Sequence, residues 1–101
     1  MPEIHAFYKT MKANELLLDI REPEEFQEGR VPGARNIPMG EVTQHAEELA
    51  RFDKIYIYCR SGRRAQNVWL DLAQKGLKNM LVVSDGGMLD WNALGFEVET
   101  G

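Results

Sequence analysis

The chain predicts an α/β domain, with a parallel β-sheet covered by helices on both faces. Three observations carry that prediction. The runs "ELLLDI", "DKIYIYC" and "NMLVVSDGG" have the length and apolar character of strands. Between them lie segments whose apolar residues recur with a helical period. The intervals are long enough for the crossover connections that parallel strands require.

Taken in order, "AFYKTMKAN" (6–14) predicts a short helix and "ELLLDI" (15–20) the first strand. "REPEEFQEG" (21–29) predicts a second short helix. Pro23 suits its first turn, Glu24 and Glu25 its positive end, and Gly29 its stop. "RVPGARNIP" (30–38) is turn chemistry around a short extended piece. In "MGEVTQHAEELAR" (39–51), Val42, Ala46, Leu49 and Ala50 fall on one helical face. "DKIYIYC" (53–59) is β-branched and aromatic, as a buried strand should be. "GRRAQNVWLDLAQKG" (62–76) sets Ala65, Val68, Trp69, Leu72 and Ala73 on one stripe, with Gly76 to close the helix. "NMLVVSDGG" (79–87) predicts another strand and a glycine turn, "MLDWNALG" (88–95) a last helix, and "FEVET" (96–100) an edge extension.

A length of 101 residues suits one domain, residues 1–101. Apolar residues make up 44% and charged residues 28%, ordinary values for a chain with a packed core. Twelve Lys and Arg against sixteen Asp and Glu give a net charge of −4, which argues against nucleic acid as a partner. The start, "MPEIHAFYKTMKANE", has no apolar signal core, and no window approaches the roughly 18 apolar residues of a membrane span. The expectation is a cytoplasmic protein that does not engage a membrane. His5 and His45 stand apart from any ligand-spaced cluster, so no metal is expected. There is no Gly-x-Gly-x-x-Gly and no Walker sequence, so no nucleotide cofactor is expected either. Trp69 and Trp91 read as core anchors.

The chemistry concentrates in "YIYCRSGRRAQNVW" (56–69), which places the single cysteine, Cys59, beside Arg60, Arg63 and Arg64. One cysteine makes no internal disulfide, so the thiol belongs to a reducing compartment or is kept for reaction. In open parallel sheets, ligands bind beyond the carboxyl ends of the strands. Cys59 ends a strand there, and the arginines open a helix. A tight turn through Arg60, Ser61, Gly62, Arg63 and Arg64 would gather backbone N–H groups into an anion pocket, and Gly62 lets the chain bend closely. A thiolate is stabilised in such a place, and guanidiniums there can grip an oxyanion. These are the parts of an activated sulfur nucleophile. The competing reading is a small buried Cys59 beside a solvated helix start.

The blocks "LLLDIREPEEFQEGRVPGARNIP" (16–38), "YIYCRSGRRA" (56–65) and "DGGMLDW" (85–91) stand in the order found in single-domain rhodaneses, and over most of its length the chain resembles that sulfurtransferase family. It departs where the family commonly reads Gly-His-Ile-x-Gly-Ala, having Gly29-Arg30-Val31-Pro32-Gly33-Ala34 instead. The resemblance implies a doubly wound α/β domain with a five-stranded parallel sheet and the cysteine loop after its central strand. It implies that Cys59 attacks the sulfane sulfur of an anionic donor such as thiosulfate and becomes a persulfide. Amides of the loop from Arg60 through Ser61, Gly62 and Arg63 to Arg64 would cradle the sulfur, and the three arginines would attract the donor. A cyanide or thiol acceptor, with a thiol protein among the options, would then remove it. Asp19 and Arg21 fall on the family's Asp-x-Arg segment as ionic supports behind the loop. They also read as an ordinary strand-end ion pair, and Arg21 with Glu25 as a helix-start pair.

Three other readings compete. The loop also resembles the Cys-x5-Arg loop of protein phosphatases, but Arg64 lies five positions after Cys59 and Ala65 occupies the sixth. The shorter loop suits one sulfur atom better than a tetrahedral phosphate. A non-catalytic rhodanese-like interaction module would usually have lost the cysteine. A thiol redox sensor would need its resolving thiol from another molecule.

Overall fold

In the computed structural model, which describes residues 2–60, 63–82 and 87–100, the alternation of side chains along two central strands decides what each face buries. Strand β1 (Glu15–Asp19) pairs in parallel with β3 (Lys54–Tyr58), from Glu15 opposite Lys54 to Asp19 opposite Tyr58. Leu16, Leu18 and Ile20 join Ile55 and Ile57 in one cluster, while Leu17 and Tyr58 belong to another. Helices α3 (Ala46–Leu49) and α4 (Arg63–Gln74) supply Leu49, Ala65, Val68 and Leu72 to the first cluster. Helices α1 (Pro2–Phe7) and α5 (Met88–Ala93) supply Ile4, Phe7, Met88 and Trp91 to the second. Full burial of one such aliphatic side chain is worth about 1.5–3 kcal/mol. Trp91 is fully buried and its indole N–H donates to Glu97 O at 2.7 Å. Trp69 packs half-buried against the first cluster.

The sheet has four parallel strands among the described residues, in the order β2–β1–β3–β4, with β2 at Arg35–Asn36 and β4 at Met80–Val82. The expected fifth strand is a correction. Segment 96–100 forms only an isolated antiparallel bridge, in which Arg30 and Glu99 exchange two backbone hydrogen bonds of 3.0 Å. Phe96 is drawn into the aromatic cluster with His5 and Trp91, and the Trp91 bond fixes Glu97, so the tail runs over α5 and does not extend the sheet.

Two helices also differ from expectation. The first occupies Pro2–Phe7, because Ile4, Phe7 and Tyr8 form the stripe that becomes buried. Residues 39–51 yield a 3-10 turn at Val42–His45 followed by the single turn of α3. Only Val42 and Leu49 of these two elements are fully buried, too little apolar contact to sustain a longer helix. The end of the predicted strand 79–87 lies partly outside the described residues, at 83–86. His5 is exposed and stacks on Phe96, and His45 is partly exposed beside Glu48. Among the described residues no group of His, Cys, Asp or Glu could hold a metal ion, and no helix is long and apolar enough to cross a membrane.

Candidate active site

Cys59 directly follows β3, and α4 opens at Arg63. The thiol is fully buried in the first cluster with Ala65 and Val68, and the Ala65 N–H donates to Cys59 Sγ at 3.4 Å. That amide lies in the first turn of α4, where backbone N–H groups have no partner within the helix and carry the positive end of its dipole. The loop is also held by its carbonyls. Met88 N–H donates to Cys59 O at 2.8 Å, and Leu89 N–H to Arg60 O at 3.1 Å. Gly87, at φ +108°, brings α5 this close, since a Cβ there would stand 2.3 Å from Cys59 O.

The loop residues separate into distinct environments. Arg60 and Arg63 are exposed. Arg64 makes a bidentate pair with Glu25 of α2 (Pro23–Glu28), at 3.0 Å to Oε1 and 3.2 Å to Oε2. The hydrogen bond from Arg64 is the main reason the Glu25 carboxyl titrates below its ordinary range, and the same bond raises Arg64. Ser61 and Gly62 lie outside the described residues.

Asp19 and Arg21 form a buried pair at the end of β1. Arg21 Nη2 donates to Asp19 Oδ2 at 2.7 Å and to Gly29 O at 2.7 Å, and Arg21 Nε reaches both carboxylate oxygens at 3.0 Å. Arg21 therefore pairs with Asp19, and Glu25 with Arg64, in place of a helix-start pair between Arg21 and Glu25. Burial works against the Arg21 charge, but the hydrogen bond and field of Asp19 raise its pKa on balance. Tyr58 lies in the same layer, accepting the Val31 N–H at 3.2 Å. Burial pushes its phenol well above the ordinary range, and the Asp19 carboxylate adds to the shift.

Beside the loop opens a cleft of about 300 Å³ between α2 and α5, lined by Arg21, Glu25 and Arg60 together with Met88, Leu89 and Val98. The structure adds Tyr58 and Gly87 to the residues singled out from the sequence, and gives Glu25 the partner Arg64. The helix start of α2 suggests only local partners for Glu25, and its actual partner, 39 residues away, leaves no local trace. The Gly87 requirement comes from a contact with residue 59, which no spacing rule encodes.

Residues 3–94 match the family described as the rhodanese-like domain. The chain belongs to the rhodanese-like family. Over 95 residues it is 41% identical to YrkF of Bacillus subtilis, named provisionally as a sulfur carrier protein. That match covers 90% of the chain and 51% of YrkF, so the chain spans about half the length of that relative. It is 34% identical over 83 residues to a protein of Allochromatium vinosum named sulfurtransferase, covering 82% of the chain and 77% of the relative. Among solved structures, a rhodanese-related protein from Thermoplasma volcanium superposes with a TM-score of 0.78 at 33% identity, covering 93% of this chain and 91% of that one. Among the described residues, this rhodanese-like domain brings together the Cys59 thiol, the Ala65 amide directed at it, and the exposed Arg60 and Arg63.

Proposed function

We propose that this rhodanese-like chain, acting as one domain over residues 1–101, transfers a sulfane sulfur from an anionic donor to a thiophilic acceptor through a persulfide on Cys59. The carrying observation is the Ala65 N–H directed at Cys59 Sγ from the first turn of α4. An amide in that position stabilises negative sulfur, whether as the attacking thiolate or as the persulfide anion.

With thiosulfate as donor, the Cys59 thiolate attacks the outer sulfur and an S–S bond forms. The bond between that sulfur and the sulfonate sulfur breaks, and its electron pair leaves with sulfite. An acceptor thiolate, or cyanide, then attacks the outer sulfur of the persulfide and returns Cys59 as thiolate. The reaction needs no cofactor. Arg60 and Arg63 favour the approach of the dianion, and Ser61 and Gly62, which stand between them in the chain, are proposed to contribute to donor binding. Asp19 and Arg21 brace the strand end beneath.

The test is the intact mass of the protein after incubation with thiosulfate. One added sulfur atom is expected, removable by dithiothreitol or cyanide and absent from C59S. An unchanged mass with thiosulfate and other sulfane donors would instead favour a binding module. Hydrolysis of an aryl phosphate should be negligible, since the loop is one residue short of the phosphatase spacing.

A further inference from the structure

The Glu25 carboxylate is a junction between α2 and the cysteine loop. Its Oε1 accepts the Glu22 N–H at 3.1 Å and Arg64 Nη1 at 3.0 Å, and its Oε2 accepts Arg64 Nη2 at 3.2 Å. The Glu22 amide fixes the direction of the carboxylate, as in a capping box. Arg64 is the second residue of α4, and the next amide along, that of Ala65, is the one that meets Cys59 Sγ. A continuous path of hydrogen bonds and one peptide unit therefore joins α2 to the sulfur.

Resting on the sulfur-transfer reading, we infer that Glu25 is a positioning residue. It removes Arg64 from donor binding and holds the first turn of α4 so that the Ala65 amide faces the sulfur. A planar guanidinium held by both carboxylate oxygens has a fixed orientation, which a lysine or a single hydrogen bond would not give. The pair also cancels the Arg64 charge locally. Arg60 and Arg63, exposed and without an acidic partner among the described residues, are then the cations that an arriving donor meets. The other charged groups around Glu25 are Arg21, Glu22, Glu28 and Arg60, and none of them makes the bidentate contact.

The experiment is a double-mutant cycle of E25A and R64A, with E24A as a surface control on the same helix and thermal melting to check folding. Each single variant should lower kcat with thiosulfate about tenfold, the order expected for one lost charge-assisted hydrogen bond. The thiosulfate KM should change less than twofold, and the double variant should be no slower than either single one. R64K, which keeps the charge and loses the fork, should resemble R64A. Independently of any turnover, hydrogen exchange of the Ala65 amide followed by NMR should speed up at least severalfold in E25A and stay as in wild type in E24A. If the wild type transfers no sulfur, this exchange measurement still decides whether Glu25 positions the amide. Wild-type exchange and kcat in E25A would overturn the inference. A raised KM with unchanged kcat in R64A would also overturn it, by making Arg64 a donor-binding cation.

Discussion

Gly87 and Cys59 meet without room for a side chain between them, since the Cys59 carbonyl oxygen would stand 2.3 Å from a Cβ on Gly87. The same oxygen accepts the Met88 amide at 2.8 Å, so the loop cannot retreat without giving up that bond. G87A should therefore disturb the site through its backbone. The positive φ alone costs about 1–3 kcal/mol, and relieving the overlap shifts Cys59 as well. The expected outcome is a lower melting temperature together with loss of persulfide formation in the mass assay. A G87A protein as stable and as readily sulfurated as wild type would show that the contact is not required.

Arg60 and Arg63 should act on the donor step. R60A and R63A are expected to raise the thiosulfate KM by up to about tenfold, the scale of one charge-assisted hydrogen bond. Because both residues are exposed, their fields are screened over about 8 Å at physiological ionic strength. The variants should therefore respond less to added salt than wild type does. Steady-state kinetics at low and high ionic strength make the comparison.

The buried Asp19–Arg21 pair should matter more to folding than to substrate binding. D19N leaves the buried Arg21 guanidinium without a carboxylate, facing only neutral carbonyl oxygens, that of Gly29 among them. Breaking one side of a buried pair costs about 3–5 kcal/mol, and denaturant unfolding should show a loss of that order. A change below 1 kcal/mol by the same scale would mean that the pair behaves as an exposed one.

Tyr58 predicts an alkaline limb of stability. Its phenol is held protonated in the folded state, well above its ordinary value near 10.0, chiefly by burial. A raised folded-state value means that stability is fully present below the unfolded value and falls as pH rises above it toward the folded one. Y58F should flatten this limb. At neutral pH it should cost about 1–3 kcal/mol, because the Val31 amide loses its acceptor. Chemical denaturation between neutral pH and pH ~11 tests both.

Glu25 predicts the opposite, acid limb. Its folded-state value lies below the ordinary carboxylate value, first because of the Arg64 hydrogen bond. The contribution is present above the ordinary value and disappears as pH falls through the lower folded one. E25Q should reduce the slope of stability against pH in that acidic window while leaving the alkaline limb unchanged.

The sequence made the layering legible because apolar period is a local property. The runs at 15–20 and 53–59 became β1 and β3, and the stripe of Ala65, Val68 and Leu72 became the buried side of α4. The strand-end placement of Cys59 and the exposure of Arg60 follow from the same patterning. The fate of segment 96–100 was hidden. An alternating "FEVET" looks like a strand wherever it lies, and its position depends on Phe96 and Glu97 meeting Trp91. The division of labour among the three arginines was hidden for a similar reason. Nothing near Arg64 in the chain announces that Glu25 waits across the fold.

The two-residue β2 carries a consequence for behaviour at high concentration. A sheet whose outermost strand is long and regular invites a second molecule to zip onto it. Here the outer strand is bracketed by Pro32 and Pro38, neither of which has an amide to offer. The Asn36 side-chain amide is turned inward to the carbonyls of Asp19 and Arg21, at 3.0 and 2.9 Å. A neighbouring molecule arriving at this margin finds too short a ladder to extend, so concentrated solutions should resist fibril seeding from this side of the sheet.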